Sequence, residues 1–102
     1  MIQATFSKNK DGYITSFKVE GHAGYAPSGR DIVCAAVSTI TNSTINGMQA
    51  LTEAVFEGKV DNGLTHINLI SPTHGSNILI ESMFLTLEAI QENYPNNLIL
   101  NY

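Results

Sequence analysis

The sequence contains no tryptophan, few prolines and a single cysteine, Cys34. One cysteine excludes a disulfide within the chain, so we expect the protein to work in a reducing compartment, the cytoplasm. No apolar run approaches the ~20 residues that a membrane-spanning helix needs. The start MIQATFSKNK lacks the charged-then-apolar order of a signal peptide. We therefore expect no membrane association.

Charged residues are also scarce, at 14% of the chain, against roughly 25% in an average soluble domain. A small domain with so little surface charge is a candidate for burying surface against a copy of itself. The formal net charge is −4. Because nucleic-acid phosphates bind basic surfaces, this charge argues against nucleic acid as a direct partner and suits a basic protein or peptide better.

The length of 102 residues and the hydrophobic share of 43% suit one compact domain over residues 1–102. Ile2, Ala4 and Phe6 alternate with polar residues, which predicts a half-buried strand. Residues 9–12 read as a hairpin turn, and residues 13–20 read as a second strand. The alternation predicts one face of this strand that consists of Tyr13, Thr15, Phe17 and Val19.

A helical pattern follows from Asp31 onward. Its apolar stripe is Val33, Val37, Ile40, Thr44, Met48, Leu51 and Val55. We predict Gly58 as the end of this helix. A hairpin follows, with a short first arm at residues 59–61, a turn at Asn62-Gly63 and a second strand at 64–70.

A second helical stripe closes the chain. It consists of Leu79, Met83, Leu87, Ile90 and Tyr94. Ser76 or Asn77 is the predicted cap and Pro95 the predicted end, with a last short strand at 98–102. Two hairpins joined by a long helix favour an α+β fold. We expect a mostly antiparallel sheet of four or five strands with two helices packed on one face, in the order strand-strand-helix-strand-strand-helix; the pattern leaves the strand order open.

The cysteine lies where the first helix is predicted to begin. With Asp31 as the cap, Cys34 falls in the first turn, where free backbone N–H groups and the helix dipole favour negative charge. Such a setting populates the thiolate, the form that attacks carbonyls. His22, at the end of the preceding strand, can take up and return a proton, and the free amides can stabilise an oxyanion. These are the parts of a Cys-His hydrolase.

The same residues have simpler interpretations. A lone cysteine among small apolar residues is most often a core residue. His22 alone is most often a strand-end histidine bonded to backbone, and Asp31 most often only a helix cap. From the residues by themselves, both interpretations stay open.

Two other kinds of site, a metal site and a phosphate-binding loop, have weaker support in the sequence. A metal site built from His22, Cys34, His66 and His74 matches no common zinc spacing. The loop GYAPSGRD precedes a helix start, which attracts anions, but it lacks the lysine-containing order of a phosphate-binding loop. We therefore expect no metal and no cofactor.

Residues 21–38 read GHAGYAPSGRDIVCAAVS, which resembles the signature of the ribosomal-processing cysteine protease Prp family. The likeness extends over most of the chain, including the C-terminal NLILNY. The resemblance implies a small α/β fold, a homodimer and a Cys-His dyad. It also implies a substrate, since members of the family remove a short N-terminal extension from the twenty-seventh protein of the large ribosomal subunit, cutting after apolar and aromatic residues.

The resemblance implies a role for each matching position. Cys34 is the expected nucleophile and His22 the expected general base and acid. Gly21, Asp31 and Ser38 are expected to support the dyad, with Asp31 capping the helix and orienting the histidine. The substrate loop comprises Ala23, Gly24, Tyr25, Ala26, Pro27, Ser28, Gly29 and Arg30. We expect this loop to close over a bound peptide, and Tyr25 to contact the aromatic part of that peptide.

The sequence is also consistent with one alternative function. A non-catalytic, ribosome-associated peptide-binding protein would also explain the small size and an affinity for peptides. In that case the position of the thiol would be accidental.

Overall fold

A computed structural model of the chain describes residues 1–27 and 29–102. Its elements are β1 (Ile2–Lys8), β2 (Ile14–Glu20), α1 (Ile32–Leu51), β3 (Val55–Asp61), β4 (Leu64–Ser71), α2 (His74–Asn93) and β5 (Leu98–Asn101). The strands form one sheet in the order β3-β4-β2-β1-β5. Neighbouring strands are antiparallel except β1 and β5, which are parallel. The predicted α+β class is confirmed, with five strands.

One face of the sheet is covered by the two helices. Alternate side chains of β1 are buried, while those between them face solvent, as a sheet covered on one face requires. The two helices complete the core, and the fully buried side chains include Phe6, Phe17, Met48, Met83 and Leu87. The predicted stripe of α1 is wrong at its end, because Leu51 is 79% exposed and Val55 lies in β3. The sheet edge is different, because β3 contributes no fully buried side chain.

A bulge in β2 changes which of its side chains enter the core. The register between β1 and β2 shifts by one position near the turn, and Thr15 is the additional residue. A bulge reverses the alternation of side chains on either side of it. As a result Ile14 and Phe17 are both buried. The predicted face that began at Tyr13 and included Thr15 is wrong in this part of the strand.

Helix α1 ends earlier than predicted. Leu51 is its last residue, and Thr52 adopts an extended conformation with φ −130° and ψ 167°. The Thr52 hydroxyl donates to the Met48 carbonyl (2.7 Å) and accepts from the Ala54 N–H (3.2 Å). A threonine, not Gly58, therefore ends the helix.

Gly58 lies inside β3, which is longer than the predicted three-residue arm. A Cβ on this residue would be 2.0 Å from the His66 carbonyl oxygen in the neighbouring strand. The glycine is there because the two backbones approach closely.

Helix α2 is capped three residues earlier than Ser76. Thr73 is the N-cap, and its hydroxyl accepts the Ser76 N–H (3.1 Å) while the Ser76 hydroxyl accepts the Thr73 N–H (2.9 Å). This is a capping box. The predicted cap at Ser76 or Asn77 is therefore wrong. The Asn77 side chain instead accepts the N–H of Ile14 (2.8 Å) and ties α2 to β2.

Candidate active site

The start of α1 is organised by the carboxylate of Asp31. One oxygen accepts the N–H groups of Val33 and Cys34, both at 3.0 Å. The other accepts those of Tyr25 (3.0 Å) and Ala26 (3.3 Å). The pKa of Asp31 is lowered, chiefly by the hydrogen bond from Cys34, and the other three amides add to this effect against an opposing contribution from burial. One side chain therefore joins the helix to the loop before it.

This cap changes the expected source of oxyanion donors. The N–H groups of Val33 and Cys34 are already bound to Asp31, so the expectation that they are free is wrong. Among the described residues, the hydrogen bonds of the Asp31 side chain go to backbone amides and none goes to His22.

The thiol of Cys34 is half-buried and forms no disulfide. Its Sγ accepts the backbone N–H of Ala23 at 3.2 Å. Ala23 is itself buried and follows His22 directly. A backbone donor stabilises a sulfur that carries negative charge more than a neutral one. The contact also brings the backbone beside His22 to the first turn of α1.

The side chain of His22 is exposed and lies against Gly63 in the turn between β3 and β4. A Cβ on Gly63 would be 3.0 Å from His22 Nε2. The Gly63 carbonyl accepts the N–H of Gly21 at 2.9 Å. A Cβ on Gly21 would meet the Met1 carbonyl oxygen at 2.4 Å, so this position requires glycine for close backbone approach.

His22 and Cys34 line the same open cleft, with a volume of about 830 Å³. Its walls are the loop before α1, the first turns of α1 and the β3–β4 hairpin. The cleft is of a size that receives small molecules or several side chains of a peptide. The predicted site residues that line it are Gly21, His22, Gly24, Ala26, Gly29, Arg30, Asp31, Cys34 and Ser38.

Three described residues of the predicted substrate loop, Ala23, Tyr25 and Pro27, do not line the cleft. Ala23 contacts Cys34 through its backbone, and the Pro27 carbonyl accepts the N–H of Arg30 (3.0 Å) in a turn. The ring of Tyr25 stands edge-on to that of Tyr94, with centroids 5.3 Å apart. Ser28 lies outside the described residues.

Two contacts at this site were not foreseen from the sequence. The pattern identified Asn62-Gly63 as a turn, but nothing in it placed that turn beside His22. The side-chain amide of Asn97 donates to the Ala23 carbonyl at 2.9 Å across 74 positions of sequence. No local signal marks such a pairing, because only the parallel pairing of β1 and β5 brings it about.

No metal centre is found in residues 1–27 and 29–102, where no group of three or more His, Cys, Asp or Glu side chains is placed to hold an ion. His66 lies on β4, and His74 is the first residue of α2. In the same part of the chain, neither helix is both long enough and apolar enough to cross a membrane.

Comparison with known proteins places this architecture among proteases. The family model described as cysteine protease Prp matches residues 1–99. The ribosomal processing cysteine protease Prp of Bacillus subtilis is 33% identical over 105 aligned positions, which cover 96% of this chain and 94% of that protein.

Two solved structures share the whole fold. An essential ribosomal processing protease Prp from Staphylococcus aureus, in complex with a covalently linked product peptide, superposes with a TM-score of 0.94 at 30% identity. The same protease in complex with a substrate peptide gives a TM-score of 0.87 at 29% identity. Both alignments cover 100% of this chain and 99% of the other.

Proposed function

Because the chain belongs to the Prp family of cysteine proteases, we propose that Cys34 is its nucleophile and His22 its general base and acid. The observation that carries this proposal is the 3.2 Å hydrogen bond from the Ala23 N–H to Cys34 Sγ. It joins the residue after His22 to the thiol, at a helix start and on the wall of an open cleft.

The proposed reaction proceeds through a thioester. The His22 imidazole accepts the thiol proton, and the Cys34 thiolate attacks the carbonyl carbon of the scissile peptide bond. The C–N bond then breaks as the imidazolium gives its proton to the leaving amine. Water, deprotonated by His22, attacks the thioester, which releases the new carboxylate and restores the thiol.

The proposed substrate is the N-terminal extension of the twenty-seventh protein of the large ribosomal subunit, cut after an apolar or aromatic residue. The acidic net charge of −4 suits a basic ribosomal protein. The cleft walls suit an apolar side chain, because Ile32 and Val60 line the cleft and are 55% and 56% exposed.

The supporting residues have roles that follow from their contacts. Asp31 fixes the loop to α1 through its four amide hydrogen bonds. Ser38 lies one helical turn after Cys34 and lines the same cleft, where its hydroxyl can bind substrate backbone. Gly21 allows close backbone approach beside His22. Residues 23–30 cover the bound peptide.

We further propose that residues 1–102 act as a single domain, in the cytoplasm, as a homodimer. Support for the dimer comes from α1, which has no charged residue in its 20 positions. Its exposed residues include Leu51, which is 79% exposed. Sedimentation equilibrium is expected to give twice the chain mass, and a monomer at all concentrations would contradict the dimer.

The decisive experiment is mass spectrometry of a peptide that carries the ribosomal N-terminal extension, incubated with the unaltered protein, Cys34→Ala, His22→Ala and His74→Ala. His74 is an exposed histidine on α2 and serves as the control. We expect one cut with the unaltered protein and with His74→Ala, and none with the other two variants. Binding without cleavage by the unaltered protein would instead support the non-catalytic peptide-binding function.

A further inference from the structure

We propose that Asn97 is a positioning residue for Cys34, acting through the backbone of Ala23. This inference rests on the proposed role of Cys34 as nucleophile. The Asn97 side-chain amide donates to the Ala23 carbonyl at 2.9 Å, while the Ala23 N–H donates to Cys34 Sγ at 3.2 Å. The two hydrogen bonds therefore hold the carbonyl and the N–H of one residue.

The backbone around Ala23 needs such an anchor. Ala23 lies beyond the end of β2, so no strand pairing fixes its conformation. Gly21 and Gly24 on either side of the His22–Ala23 pair both have positive φ, at 94° and 68°. Glycine has the widest conformational freedom of all residues. The Met1 amino group donates to the His22 carbonyl and holds the peptide unit that contains the Ala23 N–H. The Asn97 bond to the Ala23 carbonyl holds the next peptide unit, and the two bonds together limit rotation about Ala23 and keep its N–H directed at the sulfur.

Asn97 is itself held rigidly enough to act as that anchor. Its backbone N–H donates to the Tyr94 carbonyl (3.0 Å), and its carbonyl accepts the N–H of Ile2 (2.9 Å). The next residue, Leu98, is completely buried. Asn97 is thus joined to the end of α2 and the start of β1, and its half-buried side chain reaches the loop from a fixed point.

The chemical consequence concerns the charge on the sulfur. A well-directed N–H stabilises a thiolate more than a thiol, because hydrogen bonds to charged acceptors are stronger. Loss of the Asn97 amide lets the Ala23 N–H turn away and lowers the thiolate fraction. Nucleophilic attack and alkylation of Cys34 both slow for that reason.

The test compares Asn97→Asp and Asn97→Ala with the matched pair Asn93→Asp and Asn93→Ala. Asn93 also donates its side-chain amide to a backbone carbonyl, that of Ala89 at 3.0 Å, but it is exposed near the end of α2 and outside the cleft. The first measurement is the rate of Cys34 alkylation by iodoacetamide as a function of pH. The second is kcat and KM for cleavage of the ribosomal peptide.

For both Asn97 variants we expect the pH profile of alkylation to move to higher pH. For each pH unit of movement the rate at neutral pH should fall several-fold, because the thiolate fraction falls about tenfold while the more basic thiolate reacts somewhat faster. The limiting rate at high pH is expected to stay the same or rise slightly, since the thiolate is then fully formed in every variant and a more basic thiolate is more nucleophilic. A loss of packing alone would change the limiting alkylation rate without moving the midpoint of the pH profile. We expect kcat to fall with little change in KM, and both Asn93 variants to behave as the unaltered protein.

An unchanged alkylation profile in both Asn97 variants would overturn the inference. If these variants fail to fold, the side-chain amide resonances of Asn97 in ¹⁵N-labelled unaltered protein provide the test. They should shift with the same midpoint as the ionisation of Cys34, and resonances that do not respond would exclude the coupling. Alkylation requires no peptide, so failure of the unaltered protein to cut the peptide would count against the proposed function and not against Asn97.

Discussion

Gly63 lies directly against the imidazole ring of His22. A Cβ on Gly63 would be 3.0 Å from Nε2 and 3.3 Å from Cε1 of that ring. The carbonyl of the same glycine accepts the N–H of Gly21 at 2.9 Å. The β3–β4 turn therefore contacts both the ring of His22 and the backbone just before it. These contacts limit the positions that the His22 side chain can adopt relative to Cys34.

This relationship predicts a specific effect of Gly63→Ala, for which Gly12→Ala is the matched control. Both glycines are in hairpin turns at similar positive φ, 78° and 85°, but no atom lies within 4 Å of a Cβ on Gly12. Each substitution is expected to cost about 1–2 kcal/mol of stability through the backbone conformation. Only Gly63→Ala displaces His22, so only that variant is expected to lose activity, by about tenfold or more in kcat/KM for a barrier increase of 1.4 kcal/mol or more.

Chemical denaturation measures the free energy of unfolding of the two variants, and steady-state kinetics measures their kcat/KM. Equal activity in Gly63→Ala and Gly12→Ala, at equal loss of stability, would show that the contact with His22 has no effect on the reaction.

The fold class was predictable because it depends on the periodic spacing of hydrophobic residues, which is visible in short stretches of sequence. The alternation in β1 and the helical stripes of α1 and α2 are visible in short windows. The first part of β3, before residue 59, was not predicted because the strand lies at the sheet edge, where no side chain is fully buried and the alternation is lost. The bulge at Thr15 escaped notice because a bulge depends on the partner strand as well as on its own sequence.

The residues of the candidate site also differ in whether the sequence could identify them. His22, Asp31 and Cys34 fall in one short segment, so a motif can present them together. Gly63 and Asn97 reach the same segment from two other parts of the chain. Their contacts depend on the strand order, which the hydrophobic pattern does not determine. Residues that position a reactive group from a distance are therefore the ones that a single sequence fails to identify.

The close approach of β3 and β4 predicts that Gly58→Ala is destabilising. A Cβ on Gly58 would be 2.0 Å from the His66 carbonyl oxygen and 2.9 Å from the Ile67 Cα, both backbone atoms that cannot move alone. We expect a loss of roughly 1–3 kcal/mol, the usual range for overpacking, together with reduced activity because this hairpin carries Gly63.

The control is Gly47→Ala in α1. Its nearest neighbour is Cδ1 of Leu79 at 3.2 Å, the flexible end of a side chain. Alanine is favoured over glycine inside a helix by up to about 1 kcal/mol, so this variant should be as stable as the unaltered protein or more so. Urea denaturation measures the stability of Gly58→Ala and of Gly47→Ala. A denaturation midpoint of Gly58→Ala at or above that of the unaltered protein would exclude the backbone clash.

The hydrogen bonds of Asp31 predict how stability depends on pH. The pKa of Asp31 lies below its ordinary value of 3.8, first of all because the N–H of Cys34 binds the ionised form. A carboxyl group with a lower pKa in the folded than in the unfolded state stabilises the fold when it is ionised. This contribution is complete above the ordinary value and is lost as the pH falls through the lowered folded value.

Asp31→Asn removes the ionisable group and one of its two acceptor oxygens. We expect its Tm to lie several degrees below that of the unaltered protein at neutral pH, with a difference that narrows as the pH falls below 3.8. Asp11→Asn, in the exposed β1–β2 turn, is the control and should show a small difference at every pH. Thermal melting monitored by circular dichroism measures these values, and a constant difference for Asp31→Asn would contradict the assigned role of its charge.

The contact between Tyr25 and Tyr94 predicts that the two residues act as a pair on the loop. Their rings meet edge-on at an interplanar angle of 86°, and such pairs contribute about 0.5–1.5 kcal/mol. If Tyr25 serves to hold the loop against α2, then Tyr25→Ala and Tyr94→Ala should have similar effects on peptide KM, and the double variant should be little worse than either. If the ring of Tyr25 instead moves away from Tyr94 and contacts the substrate, Tyr25→Ala should raise KM and Tyr94→Ala should not. A double-mutant cycle on KM distinguishes the two outcomes, and a coupling energy of zero would exclude the pair as the loop's anchor.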